Sequence, residues 1–222
     1  VEGKIYGKSL SETEAVIRTH FEHTDFIENF LFDIDGEFNI FLIDLKNGIV
    51  TILGDHLNRL PLYYGHNGNR WIVSRDIGAA VEMLDSGFNR INLAEFLVFG
   101  YNLEERTMFE NIHTLKMNHR LEVDLSSGTI RSIERNIKYN FSKKNSCLDI
   151  EKMYSEMKLV FIESCKNRVT EKSVLSLSGG MDSRTVAAGL KASGSFDAVS
   201  YLDADKTATN DAQIASEIAA KI

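Results

Sequence analysis

Val174-Leu175-Ser176-Leu177-Ser178-Gly179-Gly180-Met181-Asp182-Ser183-Arg184-Thr185-Val186-Ala187-Ala188-Gly189-Leu190 is the stretch that decides the reading of this chain. Residues 174–177 are a short, mostly apolar run, which predicts a buried strand. Residues 178–182 form a tight loop with two adjacent glycines. From Ser183 onward Val186 and Leu190 stand one turn apart, so a helix is expected, capped by Asp182 or Ser183. A strand, a glycine loop and a helix N-terminus together make an anion site. The glycines let the backbone approach, the free N–H groups point at the ligand, and the helix dipole favours negative charge.

The loop lacks the Lys-Ser or Lys-Thr of a Walker A sequence, and it is not G-x-G-x-x-G. It resembles the PP-loop, Ser-Gly-Gly-x-Asp-Ser, of ATP pyrophosphatases, through Ser178, Gly179, Gly180, Asp182 and Ser183. In that family the loop holds the β- and γ-phosphates of ATP while the α-phosphate is attacked. The competing reading is an ordinary strand-to-helix turn with a double glycine.

The chain has 222 residues, 43% hydrophobic and 26% charged, within the range of ordinary globular proteins. Its net charge of −7 argues against nucleic acid or an anionic membrane as a bulk partner. Cys147 and Cys165 have neither metal nor disulfide spacing, and no apolar run is long enough to span a bilayer, so a cytoplasmic location is expected. The chain begins at Val1 and reaches Ile222 inside what reads as a helix, so an excerpt of a longer protein is expected.

Outward from the loop, Ile150, Met153, Met157, Val160, Phe161 and Ser164 mark one face of a long helix that delivers the chain to the first strand. Residues 198–202 read as a second buried strand, and residues 209–222 as a helix with Ile214 and Ile218 on one face. Strand, helix, strand and helix in succession imply a parallel α/β unit with its site at the carboxyl end of the first strand. Residues 136–146 are polar and read as a linker.

The earlier residues read differently. Residues 1–7 are a strand with a turn, and Ser11 with Glu14 has capping-box spacing ahead of a helix. Residues 25–33 continue as a second helix. Residues 38–44 and 49–53 flank a turn at Lys46-Asn47-Gly48, and residues 62–64 and 71–73 flank another at Asn67-Gly68. Together they predict an antiparallel meander with a helix packed on it. Helices are expected at residues 77–84 and 93–99, and a hairpin through residues 121–133 near the edge of the domain.

With both halves in view, the chain resembles the asparagine synthetase family. Residues 35–44, Asp-Gly-Glu-Phe-Asn-Ile-Phe-Leu-Ile-Asp, are similar to its Asn-Gly-Met-Phe-Ala-Phe-Ala-x-x-Asp strand. Residues 54–64 are similar to Arg-Asp-x-Leu-Gly-x-x-Pro-Leu-Tyr-Tyr, and residues 96–107 to Tyr-Leu-x-Phe-Gly-Tyr with the Arg-Thr-x-Phe after it. The resemblance implies two regions. Residues 1–140 would be an α+β, N-terminal-nucleophile-type glutamine amidotransferase-like domain, with antiparallel sheets between helices. Residues 141–222 would begin an α/β, Rossmann-like PP-loop domain.

It also implies a chemistry: an ATP-dependent ligase activates a carboxylate as an acyl-adenylate, and ammonia or an amine then attacks. ATP and Mg²⁺ are the expected cofactors. A small-molecule carboxylate and an amine or ammonia donor are the expected partners, with a homodimer as a candidate assembly. Asp182 is expected to organise Mg²⁺ and pyrophosphate as the catalytic residue, with helix capping as its competing role. Ser178 and Ser183 would donate to phosphate oxygens, and Gly179 and Gly180 would open the backbone to them. Leu177 and Tyr201 would flank the adenine, with strand packing as the competing reading for both. Arg184 reads as a surface residue, with phosphate contact as the competing reading, and Asp203, Asp205 and Asp211 as solvated loop acids, with metal binding as theirs.

The departures fall on the glutamine side. Residues 1–7 sit on the family's Asn-Gly-Glu-Ile-Tyr-Asn, with Gly3, Ile5 and Tyr6 matching. Glu2 then stands at the oxyanion-hole asparagine, Lys4 replaces the glutamate, and Glu12 stands where an aspartate binds the glutamine amine. Gly3 and Glu12 are therefore the candidate glutamine-binding residues. A carboxylate at position 2 cannot donate to an oxyanion. A β-lactam synthetase or peptide-cyclase relative with a degenerate glutaminase domain is the alternative, and a non-catalytic nucleotide-binding scaffold is the third reading. The isolated chain is expected to be inactive, because the acyl-acceptor side would lie beyond Ile222.

Overall fold

The computed structural model describes residues 1–68, 70–135, 149–170, 172–202 and 209–221. The chain divides into two compact units, Val1–Tyr139 and Asn140–Ile222. The residues read as a linker, 136–146, lie outside the described residues.

The first unit is α+β. Its leading elements are β1 (Glu2–Ile5), α1 (Leu10–Thr19), α2 (Thr24–Phe32), β2 (Gly36–Asp44) and β3 (Ile49–Gly54). Then come β4 (Tyr63–Asn67), β5 (Arg70–Ser74), α3 (Ile77–Leu84), α4 (Arg90–Phe99), β6 (Ile112–Thr114), β7 (His119–Asp124) and β8 (Thr129–Glu134). The strands make two antiparallel sheets, β1-β2-β3-β7-β8 and β5-β4-β6.

Alternation along β2 sets the layers. Phe38, Ile40 and Leu42 face one way and pack with Ile17 of α1 and Ile27 and Leu31 of α2. Between the sheets, Ile52, Leu121 and Val123 meet Leu62, Tyr64 and Leu115. On the far side Ala80 and Leu84 of α3 cover Ile112. The layers therefore run helices, sheet, sheet, helix.

The expected meander is corrected here: β3 pairs with β2 and β7, and β4 belongs to the other sheet. The cause is the intervening stretch. The carboxylate of Asp55, 1% exposed, accepts from the N–H groups of Leu57 and Arg59 at 3.1 Å each and from Arg59 Nε at 3.2 Å. That compact turn redirects the chain across the sandwich. The hairpin at residues 121–133 forms beside the sheet edge, as expected. Its first strand, β7, lies inside the sheet, and only β8 is an edge. The capping box shifts by two residues. Ser9 caps α1, accepting from Glu12 N at 3.2 Å while Glu12 reaches back, so Ser11 and Glu14 do not form the box.

The second unit contains α5 (Ile150–Arg168), β9 (Val174–Ser176), α6 (Met181–Lys191), β10 (Asp197–Val199) and α7 (Thr209–Ala219). Asp149 caps α5 by accepting from Glu151 N at 3.0 Å. β9 and β10 pair in parallel, with Leu175 opposite Ala198. Leu177, Ala187 and Ala215 form its buried core. α6 approaches α5 closely at Gly189, where a Cβ would lie 2.6 Å from Cys165 Sγ and 2.7 Å from Phe161 Cε1. The two strands were expected to be buried. Instead Val174 is 59% exposed, and all of β10 is exposed. A two-stranded sheet cannot cover both of its faces. The apolar stripe of α5 is likewise exposed, and Cys165 is its one buried residue.

Candidate functional site

The loop between β9 and α6 is held by its own hydroxyls. Ser178 N donates to Ser183 Oγ at 3.2 Å, and Gly180 N donates to Ser178 Oγ at 3.2 Å. The two hydroxyls lie 3.1 Å apart. Ser183 Oγ is also 3.1 Å from Ser178 O and 3.2 Å from Gly180 O. A hydroxyl has one proton. Ser183 uses its proton on a loop carbonyl, so its work is closure of the loop. Ser178 accepts from Gly180 and, with the Ser183 proton committed, donates its own to Ser183 Oγ, so a ligand would have to draw that proton from Ser183.

Gly180, at φ −70° and ψ 155°, is the N-cap of α6, which begins at Met181. Among the described residues no side chain caps this helix, and its N-cap is Gly180, so the expected cap by Asp182 or Ser183 is corrected. Both residues fall in the first turn instead, where a carboxylate and the helix dipole attract each other. The N–H groups at the start of α6 stay open to a ligand, as an anion site requires.

Two residues read as peripheral belong to this loop. Arg184 is exposed, as expected, and donates from Nε to Gly180 O at 3.2 Å, which holds its guanidinium beside the glycines. Asp211, in the first turn of α7, lies over Gly179: a Cβ there would sit 2.5 Å from Asp211 Oδ1. A side chain at position 179 would therefore displace the exposed Asp211 carboxylate. The sequence signal for Arg184 was its place one turn after Gly180, and for Asp211 its place in a helix-starting turn. Asp203 and Asp205 lie outside the described residues.

The adenine-flanking pair separates. Leu177 is 2% exposed, its side chain is in the core with Ala187 and Ala215, and its N–H donates to Val199 O at 2.8 Å. Its side chain serves packing. Tyr201 is 75% exposed beyond the end of β10.

In the first unit, Gly3 lies on β1 opposite Phe38 with φ +100°. Glu12 is committed to the capping box, its Oε2 2.7 Å from Ser9 Oγ. The hydroxyl and backbone N–H of Ser9 hold its carboxylate below the ordinary range. Glu2 pairs with Arg75, Oε1 to Nη1 at 2.9 Å. The glutamine-side residues named from sequence are thus engaged within the fold or have no side chain.

Residues 3–134 match the glutamine amidotransferase domain family. That is more than half of the chain. The chain belongs to this family. It is also similar to the putative asparagine synthetase [glutamine-hydrolyzing] 2 of Methanocaldococcus jannaschii, at 24% identity over 165 residues. The match covers 70% of this chain and 32% of that relative. The chain thus spans about a third of the relative's length. Seventy per cent of the chain is longer than the first unit, so the likeness continues into the second. No helix among the described residues is long and apolar enough to cross a membrane.

Proposed function

We propose that the chain is part of an ATP-dependent amide-forming ligase of the asparagine synthetase type, with residues 1–140 as its amidotransferase-like domain and residues 141–222 beginning its PP-loop domain. The observation that carries this reading is the loop: a β-strand, Ser178-Gly179-Gly180, and a helix whose N-terminus no side chain among the described residues caps. Backbone N–H groups at the start of α6 would hold the β- and γ-phosphates, with the Ser178 hydroxyl adding a donor once it turns from Ser183 to the ligand. Arg184, anchored by Gly180 O, would neutralise phosphate charge.

Mg²⁺ binds through one or two carboxylates together with substrate phosphates. Asp182 fits that use: it is exposed at the loop and does not cap its helix. Mg²⁺ would supply charge neutralisation on the polyphosphate. The chain's own part is to hold pyrophosphate as leaving group while a small-molecule carboxylate attacks the α-phosphorus. Ammonia or an amine would then take the acyl group. A cytoplasmic protein, acting as a homodimer, completes the proposal.

The test is ATP binding to the chain by calorimetry in the presence of Mg²⁺, together with pyrophosphate release by the full-length protein. Asp182→Ala should abolish release. No release with any carboxylate would leave the scaffold reading in its place.

The Glu2–Arg75 pair and the capping role of Glu12 favour a second reading of the nitrogen source. Both positions that the family likeness assigns to glutamine chemistry hold carboxylates tied to other groups. An amine in the substrate, as in a β-lactam synthetase or peptide-cyclase relative, then replaces glutamine. Ammonia-dependent but glutamine-independent turnover of the full-length protein would argue for the first reading with a silent glutaminase; turnover with neither would favour an internal amine.

A further inference from the structure

Within the second unit, α7 is pinned to the core by Ala215, with Ile218 packed beside it. Asp211 lies one turn before Ala215. The helix face that packs on Leu177 and Ala187 therefore carries the Asp211 carboxylate forward to the loop after β9. There Asp211 Oδ1 stands 2.5 Å from the place a Cβ would take on Gly179, with Asp211 Cγ and Ile214 Cδ1 each at 3.3 Å. Among the described residues the carboxylate has no hydrogen bond and no ion pair, and Arg184, whose Nε donates to Gly180 O, does not pair with it. A negative charge is thus set against the glycine loop with nothing described to match it.

Two effects act on an anion at that loop. The open N–H groups and the dipole at the start of α6 attract it. The carboxylates of Asp182, in the first turn of α6, and of Asp211, in the first turn of α7, repel it. Packing does not account for the place of Asp211, which is exposed, and neither does capping, since it accepts no described hydrogen bond. What the placement does supply is selection by charge. A bare polyphosphate brings its full negative charge against both carboxylates. Its Mg²⁺ complex carries less, and presents a hard cation that carboxylate oxygens favour. We infer that Asp211 screens the glycine loop, rejecting bare polyphosphate and admitting its Mg²⁺ complex. This role rests on the loop being a polyphosphate site, and it adds the form of the ligand and the residue that selects it.

The test titrates the chain with inorganic tripolyphosphate, with and without MgCl₂, at constant ionic strength. The amide NMR signals of Gly179, Gly180 and Ser183 are followed, because they report the loop itself; signals in MgCl₂ alone set the baseline. The parent should bind the Mg²⁺ complex about tenfold more tightly than the bare anion, the effect of one nearby charge at the screening of a protein surface. Asp211→Asn keeps the shape of the side chain and removes its charge. It should bind the bare anion about tenfold more tightly than the parent, and the Mg²⁺ complex as the parent does, so the preference collapses. Asp211 is exposed, so the variant keeps the fold, which unchanged signals away from the loop would verify. The screening role is overturned if Asp211→Asn keeps the parent's preference or loses the Mg²⁺ complex. A parent that takes both forms equally overturns the screen and leaves the polyphosphate loop standing; a parent whose loop signals move with neither overturns both.

Discussion

Arg135 is the residue whose removal should damage the first unit most. It is 2% exposed, just after β8. Its Nη1 donates to Gly54 O at 3.1 Å and its Nη2 to Glu28 O at 3.3 Å, which ties the end of β3 to α2. Its backbone N–H donates to Asn118 O at 2.8 Å. Burial pushes the guanidinium below its ordinary value, and the nearby Glu28 carboxylate offsets part of that. Arg135→Ala removes both of these buried bonds and a buried charge and leaves a cavity, at a cost of about 3–5 kcal/mol. Arg135→Met keeps the volume and should cost about 1–3 kcal/mol, the share belonging to the two lost hydrogen bonds. A domain's stability is about 5–15 kcal/mol, so the alanine variant should remain folded but be severely weakened. The assay is urea denaturation followed by Trp71, the only tryptophan, which lies on β5 and reports the first unit alone. With a slope of about 2 kcal/mol per molar urea, the midpoint should fall by roughly 2 M for alanine. A fall under about 0.5 M, or a methionine variant as unstable as alanine, would refute the argument that the two carbonyl bonds matter.

Further outcomes are expected elsewhere. Gly189→Ala gains about 1 kcal/mol of helix propensity but overpacks Cys165 and Phe161, at about 1–3 kcal/mol. The second unit should therefore melt lower by circular dichroism, and Cys165→Ala added to it should restore part of the loss. Asp124 is held at about 2 by the hydroxyl and N–H of Ser126 and the N–H of Ser127. Because its folded value lies below the unfolded one, the hairpin contacts should be complete above about pH 4 and lost on descent through about pH 2; the amide shift of Ser126 should show that midpoint. Ser178→Ala should weaken ATP binding more than Arg184→Lys, whose point charge remains at the loop; equal losses by calorimetry would show that the Ser178 proton does not reach the ligand.

Much of the fold is legible in local pattern. The helix at residues 77–84 coincides with α3, and the turn at Gly48 joins the two strands expected of it. These features depend on neighbours in sequence. Sheet membership does not: nothing in the spacing of Leu62-Tyr63-Tyr64 says that β4 leaves the sheet of β3, and β6, three residues long, is too short to show periodicity. The capping box is not decided by spacing, because Ser9/Glu12 and Ser11/Glu14 have the same spacing, and the structure uses the first. At the glycine loop, the residue types were readable and their division of labour was not. Ser183 closes the loop, Gly180 starts the helix, and Arg184 and Asp211 flank the glycines only once α6 and α7 are in place.

A helix that starts at a glycine, with no side chain over its first amides, has a consequence for motion. The N–H groups of Met181, Asp182 and Ser183 should exchange with solvent deuterium faster than the interior of α6, because nothing in the chain's own cap protects them. An anion seated there would slow those few amides and no others in the helix. The start of α6 is thus a built-in reporter of occupancy, readable residue by residue before any turnover is measured.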